Sequence, residues 1–431
     1  MIWIVYTTIY REGGSKFARV ARTMKQEKEA SGRPVRCEAI ESKGEFLAAL
    51  KEIEERGENI DELHFIGHSG VYGIMFGSRA WPEQFSPHEW RTTSIPFAKG
   101  ASAYFHACRT SRWFARFFAQ TFGVQTYGYY WYTSFSRSSS RFLPDRSDNP
   151  ESPLYVISIK GKKSHGLPGT FLKYSGIAKP EPMIGFLPEK SNPDRSYDVV
   201  SQLYDRTFVD ITVREDEWNW LRKHLPGDRS LRVLDIGCGN GSLLAELASD
   251  IGEGIGVDAS AEMIERARER FGKHSNLRFE QITGPDLPFE ERSFDLVLSF
   301  MSFRYLDWDP IMKEIRRVLA PGGRILIVDM AAAPFRFRES FSLLRSKARH
   351  WKSRRRHPEF ARNLHTLVSH PDWKKMVQYN PARAEHEYRW YLKSRFPEGR
   401  IETLNLGWTH RLLAFDSGPL QPGTTEPLSY P

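Results

Sequence analysis

Apolar runs rich in β-branched residues alternate along this chain with stretches whose apolar positions recur every three or four residues. That is the pattern of strands alternating with helices. In the first half Ile2–Ile9, Val35–Ile40, Glu62–Gly67, Ser102–Ala107 and Val124–Tyr127 read as strands. Lys16–Lys28, Glu45–Arg56 and Ser111–Phe122 read as helices, the last with an aromatic stripe, and Gly73–Gly77 as a short hairpin arm. In the second half Ser196–Leu225 is a helical lead-in whose Trp218, Trp220 and Leu221 should pack on a sheet. Strands follow at Arg232–Ile236, Gly254–Val257, Leu277–Gln281, Phe294–Phe300 and Arg324–Met330, with helices over Leu243–Leu247, Ala261–Phe271 and Pro310–Leu319. Arg400–Leu406 and Arg411–Asp416, alternating in polarity, read as a closing hairpin. Strands separated by helices imply mainly parallel sheets covered on both faces, with functional groups gathered at the strands' carboxyl ends.

The 431 residues leave room for two or three domains. Residues 178–195 hold four prolines among mixed charges, so the division expected is an α/β domain over 1–180, a linker over 181–195 and a second domain over 196–431. Three cysteines, Cys37, Cys108 and Cys238, cannot form a disulfide framework, which favours a reducing, cytoplasmic setting. Ile2–Ile9 lacks a basic leader and is too short to span a membrane. Residues 128–153, rich in Tyr, Ser and Arg, read as an exposed loop. The net charge of +9 points to acidic partners, and its distribution matters more than its total.

The chemistry concentrates first between Leu231 and Ser260. Gly237, Gly239 and Gly241 follow the first strand of a strand–loop–helix–strand unit and should let a ligand lie against the backbone. The helix N-terminus behind them should offer unpaired N–H groups. Asp258, at the tip of the next strand, sits where an acid accepts hydrogen bonds from two ribose hydroxyls. Nicotinamide and flavin enzymes share this physics, so the glycines alone do not decide the ligand. The longer pattern, Asp-Ile-Gly-Cys-Gly-Asn-Gly from Asp235, then Gly-Val-Asp-Ala-Ser and Met263, resembles the class I S-adenosylmethionine-dependent methyltransferases. Asp286-Leu-Pro-Phe289, Ser293-Phe-Asp-Leu-Val-Leu298 and Glu314-Ile-Arg-Arg-Val-Leu-Ala-Pro-Gly-Gly323 continue the resemblance in order. It implies a Rossmann-like sheet of seven strands, six parallel and one antiparallel, with S-adenosyl-L-methionine as cofactor. It also implies cofactor contacts from Tyr204, Asp235, Gly237, Cys238, Gly239, Gly241, Asp258, Ala259, Ser260, Met263, Asp286, Leu287, Ser299 and Phe300. The acid that such proteins place against the adenine amino group aligns here with Thr283. A Rossmann-like domain binding another nucleotide is the alternative.

A second constellation lies in the first half. His68 follows the strand Glu-Leu-His-Phe-Ile-Gly and Cys108 follows Ser-Ala-Tyr-Phe-His-Ala. If those strands are neighbours, an imidazole and a thiol share one crevice, as a cysteine nucleophile requires. Gly67-His68-Ser69-Gly70 and His106-Ala107-Cys108-Arg109 resemble the signatures of caspase-like cysteine peptidases, although Ser69 stands where that family has glycine. The resemblance implies a caspase-like α/β sandwich and a peptide or protein substrate. The alternative is a non-catalytic module that recruits substrate for the second domain. His106 is expected in the core.

Residues 331–399 form an insertion between the last parallel strand and the closing hairpin. From Arg336 to Arg356 it carries nine Lys or Arg against the single acid Glu339. It should cap the acceptor pocket and suits an anionic partner: a lipid headgroup, a metabolite or RNA. Tyr305, His365 and His370 fall in acceptor-side segments, and nothing in the motifs names the methyl acceptor.

Overall fold

The computed structural model describes residues 1–9, 13–77, 82–135, 156–158, 181–188, 196–333, 335–379 and 382–420. The chain divides into two compact units, Met1–Asn192 and Pro193–Pro431.

The first unit begins with β1 (Ile2–Tyr6), β2 (Val35–Ala39) and β3 (Ile60–Ile66). Two short antiparallel ladders follow, β4 (Ser69–Gly70) with β5 (Gly73–Ile74) and β6 (Phe76–Gly77) with β7 (Pro82–Glu83). Then come β8 (Phe97–His106), β9 (Gln125–Gly128), the pair β10 (Thr133–Phe135) and β11 (Val156–Ser158), and β12 (Ile184–Phe186). The main sheet has the order β12-β9-β8-β3-β1-β2, parallel throughout except at β12. Alternation along β1 shows why both faces are covered: Trp3 and Val5 enter one core, Ile2 and Ile4 the other. The first core is dominated by rings, with Trp90 packed against Phe46, Phe85, Phe114 and Phe118. Phe114 and Phe118, one turn apart on the Phe114–Phe122 helix, are the expected aromatic stripe.

Two readings change here. Ile184–Phe186, inside the stretch expected to be linker, is an edge strand pairing with β9. Prolines at 182 and 188 flank it, where missing N–H groups break no ladder bond. Residues 136–155, most of the expected Tyr/Ser/Arg loop, lie outside the described residues.

His106 is fully buried, as expected, but it is part of a polar chain. His106 Nε2 lies 3.1 Å from His64 Nδ1, and His64 Nε2 lies 3.0 Å from Glu62. A carboxylate only accepts, so His64 carries its proton on Nε2 and accepts from His106 Nε2–H. His106 Nδ1 is left buried with no hydrogen-bond partner among the described residues. Burial lowers the pKa of both imidazoles, holding them neutral.

The second unit contributes β13 (Arg232–Ile236), β14 (Glu253–Asp258), β15 (Leu277–Gln281), β16 (Phe294–Phe300), β17 (Leu319–Ala332), β18 (Arg400–Leu406) and β19 (His410–Asp416). They form one seven-stranded sheet in the order β15-β14-β13-β16-β17-β19-β18. Only β19 runs against the rest, so the expected six-plus-one arrangement is present. Pro321-Gly322-Gly323 lies within β17 as a register shift, with Gly322 at φ +80°. The insertion is helical: Ser340–Arg356, Pro358–Ser369, Pro371–Tyr379 and Glu385–Arg395. The last of these buries Tyr388 and Tyr391 against Phe303 and Trp308.

Candidate functional site

The carboxyl ends of β13, β14 and β16 converge on the glycine loop. Gly237, Gly239 and Gly241 all take positive φ, at +77°, +55° and +78°. Their reasons differ, and this corrects the expectation that all three clear space for a ligand. A Cβ on Gly237 would overlap the Ser302 side chain, whose Oγ would stand 2.6 Å away. One on Gly241 would meet the Phe279 ring at 2.7 Å. Only at Gly239 does the space stay open, with Tyr204 Cε1 at 3.7 Å.

Most of the loop's own N–H groups are engaged within the fold. Gly237 and Cys238 both donate to the Val257 carbonyl, at 2.8 and 3.0 Å, and Gly241 donates to Cys238 O. Gly239 N–H donates to Asp258 Oδ2 and Ser242 N–H to the Asn240 side chain. With Gly237, Cys238, Gly239 and Gly241 so engaged, the loop itself offers little to a pyrophosphate. What it presents instead is carboxylate. Asp258 accepts one backbone N–H on each oxygen, from Gly239 and Ser260, both at 2.9 Å. Each oxygen keeps a further lone pair, which suits two ribose hydroxyls. Asp235 is buried, and its Oδ1 has no hydrogen-bond partner among the described residues. Burial first, then the charge of Asp258, pushes the Asp235 carboxyl up to about 8. A carboxyl so placed fits a cationic or hydrogen-bond-donating ligand group, and S-adenosylmethionine carries both a sulfonium and an ammonium.

The other expected residues divide by where their side chains go. Tyr204, on the Ser196–Thr207 helix, lies half-buried over the loop, stacked on Trp373 at 6.4 Å and tilted against Phe208. Asn240 ties that helix down by donating to Asp205 at 2.9 Å. Ser260 caps the Ala261–Phe271 helix through its hydroxyl, and Met263 is buried in the first turn. Ala259 is exposed. Cys238 turns into the core against Gly256, so only its backbone faces the loop. Leu287 is likewise core, with its N–H given to Glu314 at 3.1 Å, while Thr283 and Asp286 sit exposed beyond β15. The Ser299 hydroxyl lies 3.2 Å from the Ile236 carbonyl and 2.7 Å from Ser302 Oγ, and Phe300 is core. These apolar and satisfied side chains were expected as contacts because the motif spans them. The pleat turns alternate ones inward.

Several residues here carried no motif. Ser302 closes against Gly237 and donates to Ile236 O at 2.7 Å. Met301, just past β16, takes φ +60°, a left-handed conformation that costs about 1–2 kcal/mol and aims the segment back across the loop. Arg304 is buried against Asp329, which no solvent reaches, and its guanidinium also holds the Tyr305 hydroxyl at 2.9 Å. An acid inside Ile-Leu-Ile-Val-Asp-Met was the available signal, since a buried carboxylate demands a partner. His370 pairs weakly with Asp372 at 3.5 Å on the surface.

The insertion reaches this region through rings. Trp373 lies on Tyr204 and Phe360 packs on Phe208. A separate cavity of about 510 Å³ lies along β18, lined by Arg336, Arg345, Arg349, Arg389 and Arg411 with Glu339 and Glu385. Four strand spacings separate β18 from β13, roughly 19 Å, so this cavity is not the glycine-loop cleft.

In the first unit β3 and β8 are parallel neighbours with Ile66 opposite His106, so His68 and Cys108 each lie two residues past a matched pair. Ser69 Oγ donates to the Cys108 carbonyl, joining the two strand ends. The Thr133 N–H and hydroxyl both lie 3.3 Å from Cys108 Sγ. The His68 ring meets Phe17 edge-on at 5.1 Å. Arg109 takes φ +62° directly after Cys108, and Arg112 stacks on Tyr130 and Trp131.

Residues 233–323 match the family described as a methyltransferase domain. A demethylmenaquinone methyltransferase of Clavibacter sepedonicus is 33% identical over 141 residues, covering 32% of this chain and 58% of that protein. The uncharacterized methyltransferase YcgJ of Bacillus subtilis is 39% identical over 102 residues, 23% of this chain and 40% of that protein. The crystal structure of the YcgJ protein, 22% identical, covers 49% of this chain and 100% of that one with a TM-score of 0.29. The chain spans about three fifths of the length of the demethylmenaquinone methyltransferases it matches. Residues 233–323 of the second unit are thus similar to a methyltransferase domain, and this supports S-adenosylmethionine as the cofactor.

Proposed function

We propose that the second unit transfers a methyl group from S-adenosylmethionine to a small or anionic acceptor. The observation that carries this is a glycine loop whose Gly237, Cys238, Gly239 and Gly241 amides are spent internally, beside the buried carboxyl of Asp235 and the half-buried one of Asp258. When bound, the cofactor would supply an electrophilic methyl group on a sulfonium, whose sulfur would keep the C–S electron pair and depart as a neutral thioether. The protein's part is to hold and orient. Asp258 takes the ribose hydroxyls, Asp235 favours the positive end, and Gly239 leaves room for close approach. Tyr204 with Trp373 forms a wall that excludes water, and positioning of this kind supplies much of the rate of an in-line displacement. The Arg304–Asp329 pair fixes the loop after β16, on the acceptor side. Titration calorimetry of the full chain with S-adenosylmethionine tests the reading. Asp258→Ala should weaken binding by about 1.5–3 kcal/mol, a charge-assisted hydrogen bond. Absence of binding in the wild type, or tight nicotinamide dinucleotide binding instead, would overturn it.

We infer further that His68 and Cys108 act as a cysteine-nucleophile dyad in a caspase-like first unit. Their matched positions past neighbouring parallel strands support this, as do the Thr133 N–H, which donates to the sulfur, and the Thr133 hydroxyl beside it. Cys108 would attack a carbonyl and His68 would pass the proton to the leaving amine. The Arg109, Ser111 and Arg112 N–H groups are given to the Trp131, Tyr129 and Arg109 carbonyls, so the oxyanion donors would come from the backbone near Ser69–Gly70 and at Cys108. Wild type and Cys108→Ala are compared for turnover of a peptide library and for cleavage at Arg137–Arg146, which lies outside the described residues. Silence from both would leave the first unit as a substrate-recruiting module.

A further inference from the structure

The Ser340–Arg356 helix buries only Leu343 and Ser346. At about 100° per residue, Phe341, Leu344, Ala348 and Trp351 fall on one stripe, on the side away from those two. Phe337, in the turn before the helix, extends the stripe. The large members are strongly exposed: Phe337 by 89%, Phe341 by 77%, Leu344 by 67% and Trp351 by 57%. Trp408, at the β18–β19 turn, is 56% exposed, with the Lys347 ammonium 4.8 Å over its ring.

Charge borders the stripe on both sides. By the same helical rotation Arg338, Arg345 and Lys352 lie along one flank, Lys347 and Arg354 along the other, and Arg355 stacks on Trp351 at 3.7 Å. Among the described residues none of these six has a carboxylate within ion-pair distance. Arg349 and Arg356 are different: they pair with Asp216 and Glu215 and hold the helix to its unit. The arginine-lined cavity opens beside the first flank and includes Arg345. The fold therefore spends some basic residues on attachment and leaves the others beside uncovered Phe, Leu and Trp.

A continuous apolar stripe of this size rarely stays in water. A stripe bordered by cations on both flanks suits a surface that is apolar along a line and negative to either side. A bilayer with acidic lipids has that profile: acyl chains for the rings, headgroup phosphates for the cations. RNA would use the cations and could stack a base on an exposed ring, but it offers no apolar surface for Leu344 or for a stripe that runs unbroken along the helix. We propose that the Ser340–Arg356 helix docks this protein on the surface of an anionic lipid bilayer, with Phe337, Phe341, Leu344 and Trp351 at the headgroup–acyl boundary. This does not rest on the methyl-transfer reading, and its test uses no enzymatic activity.

The full chain is sedimented with phosphatidylcholine vesicles with and without phosphatidylglycerol. Binding should be at least about tenfold stronger to the acidic vesicles and should weaken with salt. The Phe341→Ser/Leu344→Ser/Trp351→Ser variant should lose about tenfold or more. These side chains are exposed, so its melting transition should be unchanged, which separates lost docking from lost folding. Acidic vesicles should shift tryptophan emission to the blue in wild type and less so in Trp351→Phe. Three results overturn the proposal: no vesicle binding, binding by the triple variant equal to wild type, or binding of a single-stranded RNA oligonucleotide in place of vesicles.

Discussion

Replacing Gly237 by Ala should damage the protein in a way that replacing Gly239 does not. Both positions are left-handed, and an L side chain there costs about 1–2 kcal/mol. Gly237→Ala adds overlap with Ser302, and overpacking a closed site costs about 1–3 kcal/mol more. The Gly239→Ala methyl meets only Tyr204, at an ordinary contact distance of 3.7 Å. The expected losses are about 2–5 kcal/mol for Gly237→Ala and about 1–2 kcal/mol for Gly239→Ala. For a unit of this size each kcal/mol moves the melting temperature by about 2–4 °C. The two units need not unfold together, so the calorimetric transition to follow is the one that S-adenosylmethionine raises in wild type. Ser302→Gly supplies the decisive control. It removes the group being struck, at the cost of its hydrogen bond to Ile236 O, about 0.5–1.5 kcal/mol. In a double-mutant cycle with Gly237→Ala it should return a favourable coupling of about 1–3 kcal/mol, leaving only the backbone strain. Equal melting of the two alanine variants, or a coupling near zero, would show that Ser302 does not enforce this glycine. Gly239→Ala should instead lose cofactor affinity while melting only about 2–8 °C below wild type.

Removing Asp329 alone, as Asp329→Ala, strands the Arg304 guanidinium and should cost about 3–5 kcal/mol, whereas Arg304→Met/Asp329→Leu should recover most of it; urea midpoints decide, and equal losses would refute the pairing. Because burial and Asp258 raise the Asp235 carboxyl to about 8, a cationic ligand that favours its ionised form should release a proton at neutral pH. The calorimetric binding enthalpy should then depend on the buffer's ionisation heat in wild type and lose that dependence in Asp235→Asn; identical behaviour of the two would count against it. Burial lowers the pKa of His64 and His106, so the unfolded chain binds protons that the folded one refuses. Stability of the first unit should be flat above about pH 6.5 and fall as pH drops below it, and His106→Leu should flatten that slope in pH-dependent denaturation.

Local pattern carried most of the architecture. The central strands β13, β14, β16 and β17 carry apolar runs bounded by turn residues, and the helices between them repeat at helical spacing, so this part of the sheet was legible without any contact known. Asp258 was legible too, because a strand end after a glycine loop is a position set by short-range geometry. That His68 and Cys108 each follow a strand could be read from the sequence, but the neighbouring of β3 and β8 is a long-range fact. What local pattern could not supply is the identity of the neighbour across the fold. Gly237 and Gly241 are glycines because Ser302 and Phe279, far along the chain, occupy the space their side chains would need. The loop amides looked available because their acceptors, the Val257 carbonyl and the Asp258 carboxylate, come from the next strand. Ile184–Phe186 passed for linker because an edge strand pairs on one side only and needs little apolar periodicity. The apolar spacing around Phe341 could be read, yet spacing defines a stripe and not what lies against it. Tertiary packing chose Leu343 and Ser346 for the core and left Phe341, Leu344 and Trp351 outside, since burial depends on which element arrives opposite and not on periodicity alone.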